Sequence, residues 1–153
     1  MNIWTKKTNF DYSQKRINNL HLRFDKNTDA EIKRACTDFK NWLQKEYTFP
    51  VCIKIYIKNK EHIRTKDGDF VSATCFLPFE HHNLPYIKIA VGDYIPSLQQ
   101  HSKDCQLAGI LHSIAHELTH CYQWLKHVET SEKQAVRCAD YIIKKYSNTR
   151  MHP

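Results

Sequence analysis

The chain has 153 residues, 41% of them hydrophobic and 25% charged, which fits one soluble globular domain and argues against a disordered chain or a fibre. With 3 Gly and 5 Pro, long loops and multi-turn β-sandwiches are disfavoured. Lys and Arg total 23 against 16 Asp and Glu, and the net charge of +7 permits nucleic-acid or acidic partners without indicating either.

Residues 1–10 hold no continuous apolar stretch, whereas a secretory signal needs about 7–15 apolar residues. No window reaches the roughly 18 apolar residues of a membrane span. The richest runs, 51–57 and 87–91, are broken by Lys54 and Lys88. These features predict a soluble, cytoplasmic protein with no membrane partner. Residues 1–27 are polar and basic, carry no assigned element, and are read as an N-terminal extension of a single domain spanning 1–153.

A helix is predicted over residues 28–47, capped by Thr28 with Glu31 completing a capping box. Ile32, Ala35, Cys36, Phe39, Trp42 and Leu43 recur at three- and four-residue intervals and give it one apolar face, and Pro50 stops it. Residues 51–58 alternate with period two and are rich in β-branched side chains, which predicts a strand. Lys54 and Lys58 share one side of it with Cys52 and Tyr56, so that side is partly wet. A turn at 66–69 leads to a second strand over 70–77, closed by Pro78. A loop with His81, His82 and Pro85 leads to a third strand, 86–91, ended by Gly92 and Asp93. From Lys103 the period turns helical, with Leu107, Ile110, Leu111, Ile114, Ala115 and Leu118 as the stripe, and the helix runs to about Lys126. A short connection, 127–130, precedes a last helix over 131–146, where Ser131 and Gln134 form a capping box.

Six cysteines (Cys36, Cys52, Cys75, Cys105, Cys121 and Cys138) are spread evenly and never occur as C-x-x-C. In apolar periodic segments they read as small buried hydrophobes, reduced and structural rather than disulfide-bonded or zinc-binding.

The residues that carry chemistry are His116-Glu117-Leu118-Thr119-His120, an H-E-x-x-H run in the middle of the third-strand-following helix. Positions i and i+4 share one helical face about 6 Å apart, so two imidazoles there converge on one zinc with Zn–N near 2.0–2.1 Å. Glu117, one residue further round, is expected to take a proton from zinc-bound water and pass it to a leaving amine. His112 extends the stripe, but eight residues of helix span about 12 Å, so it reads as a supporting or surface residue and not as a ligand. A catalytic zinc needs a third protein ligand and an open fourth position. Glu129, Glu132 and Asp140 are the candidates. Glu132 is preferred because a reversal at 127–130 returns the first turn of the last helix beside His120, with small Ala135 permitting close packing. Glu129 would sit in the turn itself, and Asp140 lies two turns further on with a shorter side chain.

Residues 114–120, followed by Glu132-x-x-Ala135-x-x-x-Ala139, resemble the gluzincin pattern of small single-domain metallopeptidases, most similar to the ImmA/IrrE-type and SprT-like groups. That resemblance implies an α+β zincin fold: an N-terminal helix, a small mainly antiparallel sheet of about three strands, the H-E-x-x-H helix and a C-terminal helix. It implies that His116, His120 and Glu132 hold one Zn2+ and that Glu117 is the general base. It also implies that an edge strand, 70–77 or 86–91, pairs with an extended substrate peptide. The chain carries Thr119 where the ImmA/IrrE pattern usually has Gly. It also lacks the Leu-Met-Pro ending after the Glu helix.

His127, Tyr122 and Tyr141 are the candidates for an oxyanion donor. His81 and His82 read as a loop surface pair. Trp42, Trp124 and the other aromatics read as core and groove residues, not as base-stacking platforms. The expectation is a zinc metallopeptidase acting on a protein or peptide. Two alternatives stand beside it: a non-catalytic zincin-fold binding module, and a DNA-associated SprT-like protease. Since the chain is long enough to fold alone, the zinc is expected to serve catalysis and not to staple the fold.

Overall fold

A computed structural model describes residues 2–8 and 19–153. The expectations for residues 1 and 9–18, within the N-terminal extension, lie outside the described residues. Among the described residues, six strands and four helices follow in the order β1 (Leu20–Phe24), α1 (Ala30–Glu46), β2 (Ile53–Lys58), β3 (Ile63–Arg64), β4 (Phe70–Val71), β5 (Ala73–Phe76), β6 (Tyr86–Ala90), α2 (Tyr94–Ser97), α3 (Lys103–Leu125) and α4 (Glu132–Ser147). The class is α+β.

The main sheet has four strands in the order β1-β2-β6-β5. β1–β2 and β2–β6 are parallel, and only β5–β6 is antiparallel. The sheet is therefore mixed, and the expected mainly antiparallel arrangement is corrected. Its cause is β1, which lies in the stretch without an assigned element. Because α1 crosses over between β1 and β2, the two strands run parallel. The expected strand over 70–77 is two pieces: β4 pairs with β3 in a separate hairpin, while β5 joins the main sheet.

The period-two pattern sorts the sheet's faces. Ile53, Ile55, Ile57, Ile87 and Ile89 are at most 1% exposed and face the helices. Burying each contributes about 1.5–3 kcal/mol. Lys54, Tyr56 and Lys58 lie on the other side, as the alternation predicts. Helix α1 packs on β1, α3 packs on β5 and β6, and α4 packs along α3.

The cap of α1 differs from expectation by one residue. Asp29 accepts from the backbone N–H of Glu31 and Ile32, while the Thr28 hydroxyl donates to the Asp25 carbonyl. Asp caps as well as Thr does, so the register of the first turn decides. Residues 2–8 form a strap in which Trp4, 4% exposed, packs against Tyr47, Phe49 and Tyr122. No helix among the described residues is long and apolar enough to cross a membrane.

Candidate metal centre and cleft

Helix α3 starts at Ser102, whose hydroxyl accepts from the Cys105 N–H at 3.1 Å. It ends where His127 takes φ 53°, the left-handed region that closes helices, and Val128 N–H donates to the Gln123 carbonyl at 3.0 Å. The reversal returns the chain alongside α3. Ser131 then caps α4, accepting from Gln134 N–H at 3.2 Å, and Glu132 becomes the first residue of α4.

Here the preferred three candidates meet. His116 Nε2 lies 3.0 Å from Glu132 Oε2, and His120 Nε2 lies 2.8 Å from Glu132 Oε1. The imidazole rings are 5.0 Å apart and inclined by 76°. One ligand atom from each residue falls within 4.8 Å of the other two, so the group could hold a metal ion.

The chemistry of the donor set favours a cation. Gln123, fully buried, is fixed by two backbone contacts: its Nε2 donates to Ser131 O at 3.0 Å, and its Oε1 accepts from Ser131 N at 3.3 Å. That orientation makes Oε1 an acceptor for His120 Nδ1 at 2.8 Å, so the imidazole proton sits on Nδ1. His120 Nε2 then faces a carboxylate oxygen at 2.8 Å, an arrangement at rest only with a proton or a metal between them. Donors around a tetrahedral ion with bonds of about 2.0–2.2 Å stand about 3.3–3.6 Å apart, wider than these contacts by roughly 0.3–0.8 Å. Burial, followed by the neighbouring His120, holds His116 below its ordinary value and favours the neutral form that ligates.

Glu117 is 7% exposed and lines the same open cleft of about 400 Å³. Burial pushes its carboxyl up to about 7; His120 opposes the rise and Glu132 adds to it. A base poised near neutrality suits proton transfer at physiological pH. Cys75 of β5, Leu77 just after that strand, and Thr130 also line the cleft.

The remaining candidates lie elsewhere. Glu129 is exposed in the turn and is not a member of the group. Asp140 pairs with His112 Nε2 at 2.8 Å, a surface link between α3 and α4. Tyr122 donates its hydroxyl to Thr48 O, behind α3, and the His127 ring lies tilted by 32° against His81 at 4.2 Å. Tyr141 is 46% exposed, and none of these three oxyanion candidates lines the cleft. His81 and His82 are exposed, as expected of a loop pair, though His81 also stacks on Trp124 at 4.3 Å.

The sequence reading missed three supports. Gln123 follows His120 by three residues on the same helical face, and that spacing was the available signal. Thr119, fully buried, donates to Ala115 O and accepts the Trp4 indole N–H at 2.9 Å, which anchors the back of the motif helix. Cys75 and Cys121 bring their sulfurs to 3.2 Å. Their mutual hydrogen bond, then burial, raises the Cys75 thiol well above its ordinary value, and none of the six cysteines is in a disulfide.

A wider groove of about 540 Å³ lies at the opposite end of α3. Its charges neutralise one another, with Lys103–Glu31 at 2.8 Å and His152–Asp104 at 2.7 Å, so it lacks the convergent donors of the cleft.

Comparison with known proteins returned no family model, no curated protein and no solved structure that matches this chain. Any assignment therefore rests on the α+β fold and the His-Glu cluster themselves.

Proposed function

We propose that this chain is a zinc-dependent metallopeptidase of the zincin type, hydrolysing a peptide bond in a protein or peptide. The observation that carries the reading is the convergence of His116, His120 and Glu132 beside the buried carboxyl of Glu117 in one cleft. Two imidazoles and one carboxylate with an open position suit catalytic zinc, which when bound supplies Lewis acidity and lowers the pKa of water to about 7.

Glu117 takes a proton from the attacking water as the water oxygen adds to the peptide carbonyl, then delivers it to the departing amine nitrogen. The products are a carboxylic acid and an amine. Gln123 holds His120 in the ligating tautomer throughout. Among the described residues β5 is an edge strand of the main sheet, and it lines the cleft, so an extended substrate pairing with it brings its carbonyls to Glu117. Strand β6 lies between β2 and β5, which leaves β5 as the substrate edge of the two strands considered. Against a purely binding module stands Glu117: burying a carboxyl costs stability, and a cleft-lining one with a displaced pKa marks a chemical role.

The test is Glu117→Gln, assayed on quenched fluorescent peptide libraries and by metal analysis. The variant is expected to keep its metal and to lose roughly 10²–10⁴-fold in cleavage rate. Cleavage equal to the parent's contradicts the mechanism.

A further inference from the structure

The sheet face opposite the cleft and the core has a composition that proteolysis does not use. Register places His21, Lys54, Tyr86 and Phe76 in one row across the four strands. The next row is Arg23, Tyr56, Lys88 and Thr74. Side chains at i and i+2 share a face, so both rows point the same way, away from the buried isoleucines. Every member is exposed or half-buried.

Aromatic rings run across the middle of this face. Phe76 and Tyr86 stack at 4.9 Å and 19°, and Tyr56 meets Tyr86 edge-on at 6.1 Å. Cations surround them. Lys66 Nζ caps the Phe76 ring at 4.4 Å, and Lys88 Nζ lies 5.7 Å from the Tyr86 ring. Arg64 and Lys66 wall a groove of about 350 Å³ that reaches Tyr86 and Lys88 and, among the described residues, has no acidic lining residue. Lys58 is held by Asp25 at 3.0 Å. Among the described residues, Arg23, Lys54, Arg64, Lys66 and Lys88 have no carboxylate partner.

We propose that this open sheet face binds single-stranded nucleic acid. Its phosphates sit against Arg23, Lys54, Lys88 and Lys66, and its bases against Tyr86 and Phe76. Unpaired positive charge matches a phosphate backbone, and rings on an open sheet offer stacking surfaces to bases whose own faces are free. A duplex hides those base faces. An acidic peptide would use the cations but not the rings. Lys66 rests on Phe76 by a flexible stem, so a base displaces it without moving the backbone.

The test uses the full chain and a fluorescein-labelled oligothymidylate of about 20 nucleotides, long enough to cross the face, with anisotropy read over a salt series. The expected result is binding at low salt, with log affinity falling against log salt by about 0.7 per phosphate contact. Lys54→Glu with Lys88→Glu exchanges two solvent-facing charges. It is expected to weaken binding about tenfold or more and to make the slope shallower by about 1.4. Tyr86→Leu keeps apolar packing but removes the ring. It is expected to cost roughly fivefold or more with the slope unchanged, its fold checked by circular dichroism. Glu117→Gln binds like the parent, so the outcome is separate from that of the peptidase reading. No binding at low salt overturns the proposal. So does equal affinity for duplex or polyglutamate, which would mark a plain polyanion surface, or a double variant that binds like the parent.

Discussion

Two histidine–carboxylate links join α3 to α4, and they differ in everything except their chemistry. His112 meets Asp140 at 2.8 Å, and His116 with His120 meets Glu132 at 3.0 and 2.8 Å. The first link has two partners, both solvent-accessible, and among the described residues no third donor. The second has three donors, a fully buried amide that fixes one tautomer, and a buried carboxyl beside it. A pair of complementary groups is thus a surface ion pair of small worth. It becomes a candidate metal centre when further residues converge on it and orient it, even though Glu132 itself stays exposed.

The largest expected effect that sharpens this contrast comes from Glu117, which stands beside one link only. In the folded, metal-free protein its carboxyl titrates at about 7, above the ordinary 4.5, so the folded state holds the proton more tightly than the unfolded chain. Its contribution is fully present below about pH 4.5 and is lost as pH rises through about 7. Chemical denaturation in EDTA is expected to show parent stability falling across that window by up to about 3 kcal/mol. Glu117→Gln removes that fall, and a parallel profile for the two proteins would place the carboxyl in water.

Next in size is Gln123. Gln123→Leu retains the volume but removes the acceptor that sets the His120 tautomer. Metal affinity, measured by competition with a chromophoric chelator, is expected to drop about 10–100-fold. A drop of that size in His112→Ala would erase the distinction between the links. The smallest effect belongs to the outer pair: Asp140→Asn is expected to shift thermal stability by no more than about 0.5 kcal/mol and to leave metal content unchanged.

The legible parts of the molecule were those whose signal is local. Helices α1, α3 and α4 declared themselves by three- and four-residue spacing, and Glu132 followed from a short turn between two long helices. β1 did not, although Leu20, Leu22 and Phe24 alternate, because its parallel partner lies beyond a whole helix and no hairpin marks the pairing. Without β1 the sheet's direction could not be read. Gln123 was hidden because an amide in an apolar run looks the same whether it orients a ligand or fills space. The basic, aromatic sheet face was hidden more deeply. Its charges are interleaved with acids along the chain, and only register between β1, β2, β6 and β5 gathers them on one side.

The central claim is that His116, His120 and Glu132 hold a catalytic zinc and that Asp140 does not. Metal content of the dialysed protein, read by plasma mass spectrometry for the parent, Glu132→Ala and Asp140→Ala, tests it directly. The account predicts about one zinc per chain in the parent and in Asp140→Ala, and a loss to background in Glu132→Ala. Zinc retained in Glu132→Ala but lost in Asp140→Ala, or a parent that takes up no zinc, would contradict it.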